Sequence, residues 1–313
     1  MNVKIPEELK SQAPQSTWGK ILTGTPVIMA VVATMLAALS SSEMTKAQYD
    51  RSLGAQQQSK AGDQWSFFQA KRLRGAAQRN TLDLLRATCE IHPLDPEALR
   101  SAVEALGKPD LAEMVNSAAA RDALALLAQG RLPQAATPAV LDAKTQAAIG
   151  AVADDRPETE VGALLAPVSD RALDSSLAAA EEASRAFDAA TKPASQMIDR
   201  LDGLLGRSPE LARQDRDFTA ARLRFEEMRY DGEARLNQNI AYLYELQVRK
   251  SNISANHHHA RSQKFFYGML AAQLAVIVAT FAVAARQRNL LWTIAAVAGL
   301  LAVILAIYVY LCV

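Results

Sequence analysis

His257, His258 and His259 form the single histidine cluster in a chain with four histidines. Consecutive residues on a helix point about 100° apart, so one helix cannot turn all three toward one metal ion. A symmetric oligomer could bring one from each chain. Otherwise the run is a polar stretch that gains charge at low pH. Cys89 and Cys312 are the two cysteines. They supply neither a disulfide framework nor a CxxC pair, and neither is read as having a histidine partner nearby. The carboxylates of Glu181, Glu182, Glu226 and Glu227 stand beside Arg185, Arg222, Arg224 and Arg229. That is the pattern of solvated or i,i+4-paired helix faces. P-loop, GxGxxG, HExxH and GxSxG motifs are missing from the sequence. We therefore expect no catalytic residues, no cofactor and no metal, and a protein that is not an enzyme.

The composition bounds what must position these residues. The 313 residues are 50% hydrophobic but only 6% aromatic, with 14 Gly and 12 Pro. So few turn-formers argue against an all-β chain. A net charge of +1 argues against a nucleic-acid binder driven by bulk charge.

Three stretches without charge are long enough to cross a bilayer: Ile21–Ser41, Phe265–Ala285 and Leu290–Val313. Continuous apolar runs exclude the alternating strands of a membrane barrel, so these are helices. The second begins with Phe265, Phe266 and Tyr267, and the third carries Trp292, Tyr308 and Tyr310, all suited to an interface. The first reads as a retained span. The alternative is a cleaved signal peptide ending near Leu39-Ser40-Ser41-Ser42. Residues 286–289 make a tight basic hairpin, with Arg286 and Arg288, between the second and third spans. Together with Lys4, Lys10 and Lys20 they favour an inner-side hairpin and N-terminal tail (residues 1–20). Residues 42–264 then lie on the outer side, periplasmic in a Gram-negative host. The lysines and arginines flanking that region, among them Lys46, Arg51, Arg261 and Lys264, pull the other way. Gln273 is the most polar residue deep in a span, and such groups usually face other helices. No Asp, Glu, Lys or Arg interrupts a span, which disfavours an ion-coupled pump but leaves a passive pore open.

Between the first two spans the chain reads as helical in three parts. Residues 42–91 form a long helix with a thin apolar seam, starting at Ser42 with Glu43 behind it and broken, if anywhere, near Gly54 or Gly62. Residues 209–264 form a second long helix, entered through Ser208 and Pro209. On it Phe218, Phe225, Leu236, Ile240, Leu243 and Val248 recur mostly at helical spacing. About 50 residues of helix extend roughly 75 Å, and so thin a stripe needs a partner. The expected architecture is all-α: three transmembrane helices and a long antiparallel, coiled-coil-like stalk, with a multi-helix bundle as the equal alternative. Residues 92–208, rich in Ala and punctuated by Pro, form a cap of short helices: Pro96–Leu106, Leu111–Gln129, Pro138–Ala153 and Ser169–Ala190. Asp154–Glu160 serves as a connector.

Asp63-Gln64-Trp65-Ser66-Phe67-Phe68-Gln69-Ala70-Lys71 stands out within the first long helix. This motif, with its order of span, charged helix and basic hairpin, resembles the bacterial DUF4337 family of uncharacterised membrane proteins. The resemblance covers roughly residues 21–91 and 209–313, with 93–208 as an insertion. It implies a multi-pass protein of the bacterial cytoplasmic membrane and brings no activity with it. Trp65, Phe67, Phe68, Phe225, Leu236, Ile240 and Leu243 are the candidates for helix packing or oligomer contacts. The expected partners are the lipid bilayer and further copies of the chain. The alternatives are a channel or passive transport component, or an accessory subunit of another membrane protein.

Overall fold

The computed structural model describes residues 17–134, 141–285 and 288–312. Every element among them is helical: α1 (Thr17–Thr88), α2 (Pro96–Ala105), α3 (Pro109–Asn116), α4 (Ala118–Gln129), α5 (Ala143–Ala153), α6 (Glu158–Leu165), α7 (Asp170–Leu205), α8 (Ala212–Ala284) and α9 (Arg288–Cys312). The expected all-α architecture is therefore observed, and α1, α8 and α9 each contain a stretch long and apolar enough to cross a membrane. Most of the N-terminal tail, together with Arg286, Gln287 and Val313, falls outside the described residues, and so does the start of the expected Pro138–Ala153 helix. The chain divides into two compact units, one of residues up to 54 and from 251 onward, the other of residues 55–250.

The first unit holds the three apolar helices. Their small residues face each other: Ala33, Ala272, Ala275, Ala279, Ala295 and Ala302 are buried. Larger buried groups, Leu36, Phe265 and Val309, complete the packing. The space beside Gly299 on α9 is filled by the end of the Met29 side chain from α1. Trp292 Nε1 donates to Thr25 Oγ1 at 3.1 Å, and the Trp18 and Trp292 rings meet edge to face at 4.9 Å. Large side chains such as Val27, Ile28, Ile277, Phe281 and Leu300 point outward. Apolar surface outside and small residues inside is the pattern of helices packed in lipid.

The helix start expected at Ser42 is not observed. α1 runs unbroken from Thr17 past Ser42, Gly54 and Gly62. A helix already under way has its N–H groups satisfied and needs no cap at its interior. Glu43 is buried instead of capping a first turn.

The second unit is a three-helix bundle of α1, α7 and α8, finished by short helices. α1 and α8 run antiparallel, as the ties from Arg79 to Glu227, Lys71 to Glu233 and Gln57 to Gln247 require. α7 joins α8 in the same sense. Arg222 reaches Asp202, Tyr244 donates to Glu181 at 2.9 Å, and Gln247 donates to Asp174 at 2.8 Å. Helices α2 to α4 pack around Phe218, Phe225, Ile198, Leu201 and Leu205. The buried residues Ala148, Leu165 and Leu173 gather with Leu246 on α8.

The middle stretch thus contributes more than short helices. The piece expected to end at Ala190 runs on to Leu205, 36 residues in all, straight through Pro193. An interior proline costs about 3 kcal/mol relative to alanine. Burial of Ile198, Leu201 and Leu205 in the main core offsets it. Conversely, the helix expected over Leu111–Gln129 is two. Ser117 adopts extended backbone, and its Oγ accepts from the Ala120 N–H at 3.2 Å, ending α3 and capping α4. Asp95 and Asp142 cap α2 and α5 in the same way.

Candidate functional site

The tryptophan of the Asp63–Lys71 motif faces α8. The Trp65 ring meets Phe68 at 5.4 Å and Tyr242 at 5.1 Å, both edge to face, and its Nε1 donates to Glu245 Oε1 at 2.7 Å. An indole used this way offers its apolar body to the bundle and its N–H to a charged acceptor. Lys71 continues the motif into the bundle, where it pairs with buried Glu233, itself held by Arg229 at 2.7 Å. Phe67 has no such role and is 53% exposed. Phe225, Ile240 and Leu243 are buried, and Leu236 is half-buried.

The histidine cluster is taken apart by its neighbours. His258 Nδ1 donates to Glu43 Oε2 at 2.6 Å, and Lys46 also donates to Glu43, at 2.9 Å. Arg261 lies 4.0 Å away. Burial pushes the Glu43 carboxyl up, but the hydrogen bonds from His258 and Lys46 and the charges of Arg261 and Lys46 outweigh it and hold the group below its ordinary value. His259 pairs with Gln263 at 3.1 Å, and the His257 ring meets that of His258. Nearby, Ser40 and Ser262 exchange hydrogen bonds with each other's carbonyls, and Ser254 donates to Asp50 at 2.7 Å. The cluster works as a polar clasp between α1 and α8 in the first unit. Among the described residues no group of three metal-ligating side chains comes together.

A pocket of about 500 Å³ opens where α1 ends, lined by Arg86, Cys89, His92, Leu127, Asp217 and Arg224 among others. This corrects the reading of Cys89 as lacking a histidine: His92, three residues on, shares its wall. Asp217 orients the segment by accepting from the His92 backbone N–H at 2.8 Å. The His92 ring stands between carboxylates, Nε2 at 3.4 Å from Glu90 and Nδ1 at 3.9 Å from Asp217. The thiol is not engaged by the imidazole, however. Its hydrogen bond comes from Thr88 Oγ1 at 3.8 Å. A nucleophile paired to a base is therefore not formed, and the pocket offers cationic and polar walls for a small ligand. The Cys89–His92 spacing is visible in the sequence, whereas Asp217 and Arg224 arrive from α8 with no signal linking them.

Gln273 also departs from expectation. It is exposed on the outer surface of α8 rather than set against α1 or α9.

Residues 18–131 match DUF4337, a domain of unknown function. The resemblance seen at Asp63–Lys71 is borne out over residues 21–91, but the match runs on to just beyond α4, into the stretch expected to be an insertion, and does not include residues 209–313. No curated protein and no solved structure matches the chain.

Proposed function

We propose that this chain, with its DUF4337 region over residues 18–131, is a non-enzymatic membrane scaffold that assembles with copies of itself. The observation that carries this reading is the outer surface of α1 in the second unit. Leu73 is 72% exposed and Leu84 65%, on a helix whose opposite face is tied to α8. Eleven residues apart, the two leucines share one face. Phe67 is exposed as well, about 120° around the helix from Leu73. Large apolar groups exposed together on an otherwise charged bundle favour a protein partner. A second copy supplies that partner without requiring another gene product. The reading includes residence in a bacterial cytoplasmic membrane, with residues 42–264 on the outer side.

Light scattering of the detergent-solubilised protein tests it. A protein mass at a multiple of 33.8 kDa supports self-assembly. A monomer overturns it, and stoichiometric recovery of a different membrane protein would instead favour an accessory subunit.

A second reading, a ligand-binding module, is favoured by the pocket lined by Arg86, His92 and Arg224. Two guanidiniums there suit a carboxylate or phosphate group. Calorimetric titration with inorganic phosphate, against an Arg224→Ala control, tests it.

A further inference from the structure

The membrane-crossing part of α8 carries two seams. One consists of Gly268, Ala272, Ala275, Ala279 and Ala282, spaced four and three residues apart and buried within the first unit. The other consists of Phe266, Leu270, Gln273, Ile277 and Thr280, with the same alternating spacing, and every member is exposed. Steps of four and three keep a row on one face of a helix that packs against another at a shallow angle. The second seam therefore has the geometry of a helix–helix contact, and no helix among the described residues lies upon it.

Gln273 sits at its centre. The hydroxyls of Thr23, Thr25, Thr34, Thr280 and Thr293 each donate to the carbonyl four residues earlier on their own helix. The Gln273 amide makes no hydrogen bond with any described residue. It stands about 12 Å along the helix from Phe265 and about 18 Å from Ala285, too deep for its short side chain to reach water at either end. An amide in hydrocarbon with neither donor nor acceptor engaged is unfavourable.

We infer that this seam is the contact between two copies of the chain within the bilayer, with Gln273 of one hydrogen-bonded to Gln273 of the other. Copies inserted in the same orientation place Gln273 at the same depth. A two-fold axis along the membrane normal then sets α8 parallel to its counterpart and brings the two amides together. Each amide has both donors and an acceptor, so the pair is self-complementary. No span of the chain offers a second amide, and the span threonines direct their hydroxyls to their own backbone. One polar residue in an apolar seam also selects a single register. This inference rests on self-assembly of the chain and assigns a surface to it.

Disulfide trapping in native membranes tests the assignment. In the full chain carrying Cys89→Ser and Cys312→Ser, Leu270→Cys and Ile277→Cys should give a covalent dimer on oxidation. Tyr267→Cys and Val283→Cys, exposed on α8 but turned about 100° to either side of the seam, should give little. Adding Gln273→Leu should lower the trapped fraction about tenfold, corresponding to the roughly 1–2 kcal/mol of an amide hydrogen bond between membrane helices, while Gln273→Asn should retain most of it. Equal trapping on and off the seam, or no effect of Gln273→Leu, overturns the inference. The mass of the wild-type complex separates the two failures. A multimer without seam trapping removes this surface and keeps self-assembly, whereas a monomer without trapping anywhere removes both.

Discussion

Glu43 Oε2 and His258 Nδ1 lie 2.6 Å apart, joining α1 to α8 across 215 residues of sequence. With Lys46 and the Ser40–Ser262 exchange, this contact clasps the two helices where they leave their apolar stretches. Glu43 is only 6% exposed, so loss of its partners would leave a buried charge.

The clasp predicts an acid-sensitive step. Because the folded structure holds the Glu43 carboxyl below its ordinary value of 4.5, Glu43 contributes stability above that value and loses it as pH falls through the lowered one. Thermal melting in detergent, followed downward from neutral pH, should show the wild type losing stability below about 4.5, with Glu43→Gln lacking that component. At neutral pH the variant should cost about 1–3 kcal/mol. A variant with unchanged acid dependence would refute the assignment.

Trp65 and Glu245 should be energetically coupled. Trp65→Phe keeps the ring contacts and removes the N–H, leaving Glu245 without its donor. A loss of about 1–2 kcal/mol is expected. A double-mutant cycle with Glu245→Gln isolates the pair. Additive effects would show that the 2.7 Å contact contributes nothing.

Core and surface aromatics should separate cleanly. Phe225→Ala opens a cavity in the main core and should cost about 3–5 kcal/mol. Phe67→Ala and Leu73→Ala should change unfolding by about 0.5 kcal/mol or less while lowering the mass of the detergent-solubilised complex. Unchanged mass in both surface variants would remove the outer face of α1 as an assembly surface.

Pro193→Ala should stabilise the second unit. The proline has no N–H to complete the helical ladder, and alanine restores it. A gain of about 1–3 kcal/mol is expected, read as a higher melting temperature. Destabilisation would mean that the bundle depends on the local geometry the proline imposes.

Membrane orientation has a direct readout. With Cys89 and Cys312 replaced by serine, Ser59→Cys places a thiol on an exposed position of α1. On the outer-side reading, a membrane-impermeant maleimide should label it in spheroplasts of a Gram-negative host without lysis. Labelling only after lysis would reverse the orientation.

Much of the molecule is legible locally. The absence of charge over 21–41, 265–285 and 290–313 marks the apolar helices, because a span is defined by a continuous run. The stripe of Phe218, Phe225, Ile240 and Leu243 marks the buried face of α8, because helical periodicity is a property of neighbouring residues. Asp63–Lys71, a run of consecutive residues, lies within the stretch that matches DUF4337. Tertiary structure decides the rest. Pro193 stays inside a helix because a core built from four other helices lies against the residues beyond it. Glu43 is an ion-pair partner rather than a first-turn acid because α8 returns alongside it. Gln273 faces outward because the alanine seam on the other side of the same helix packs more closely against α1 and α9, and small residues let helices approach where an amide cannot. Each of these outcomes depends on groups distant in sequence, whose proximity no local pattern encodes.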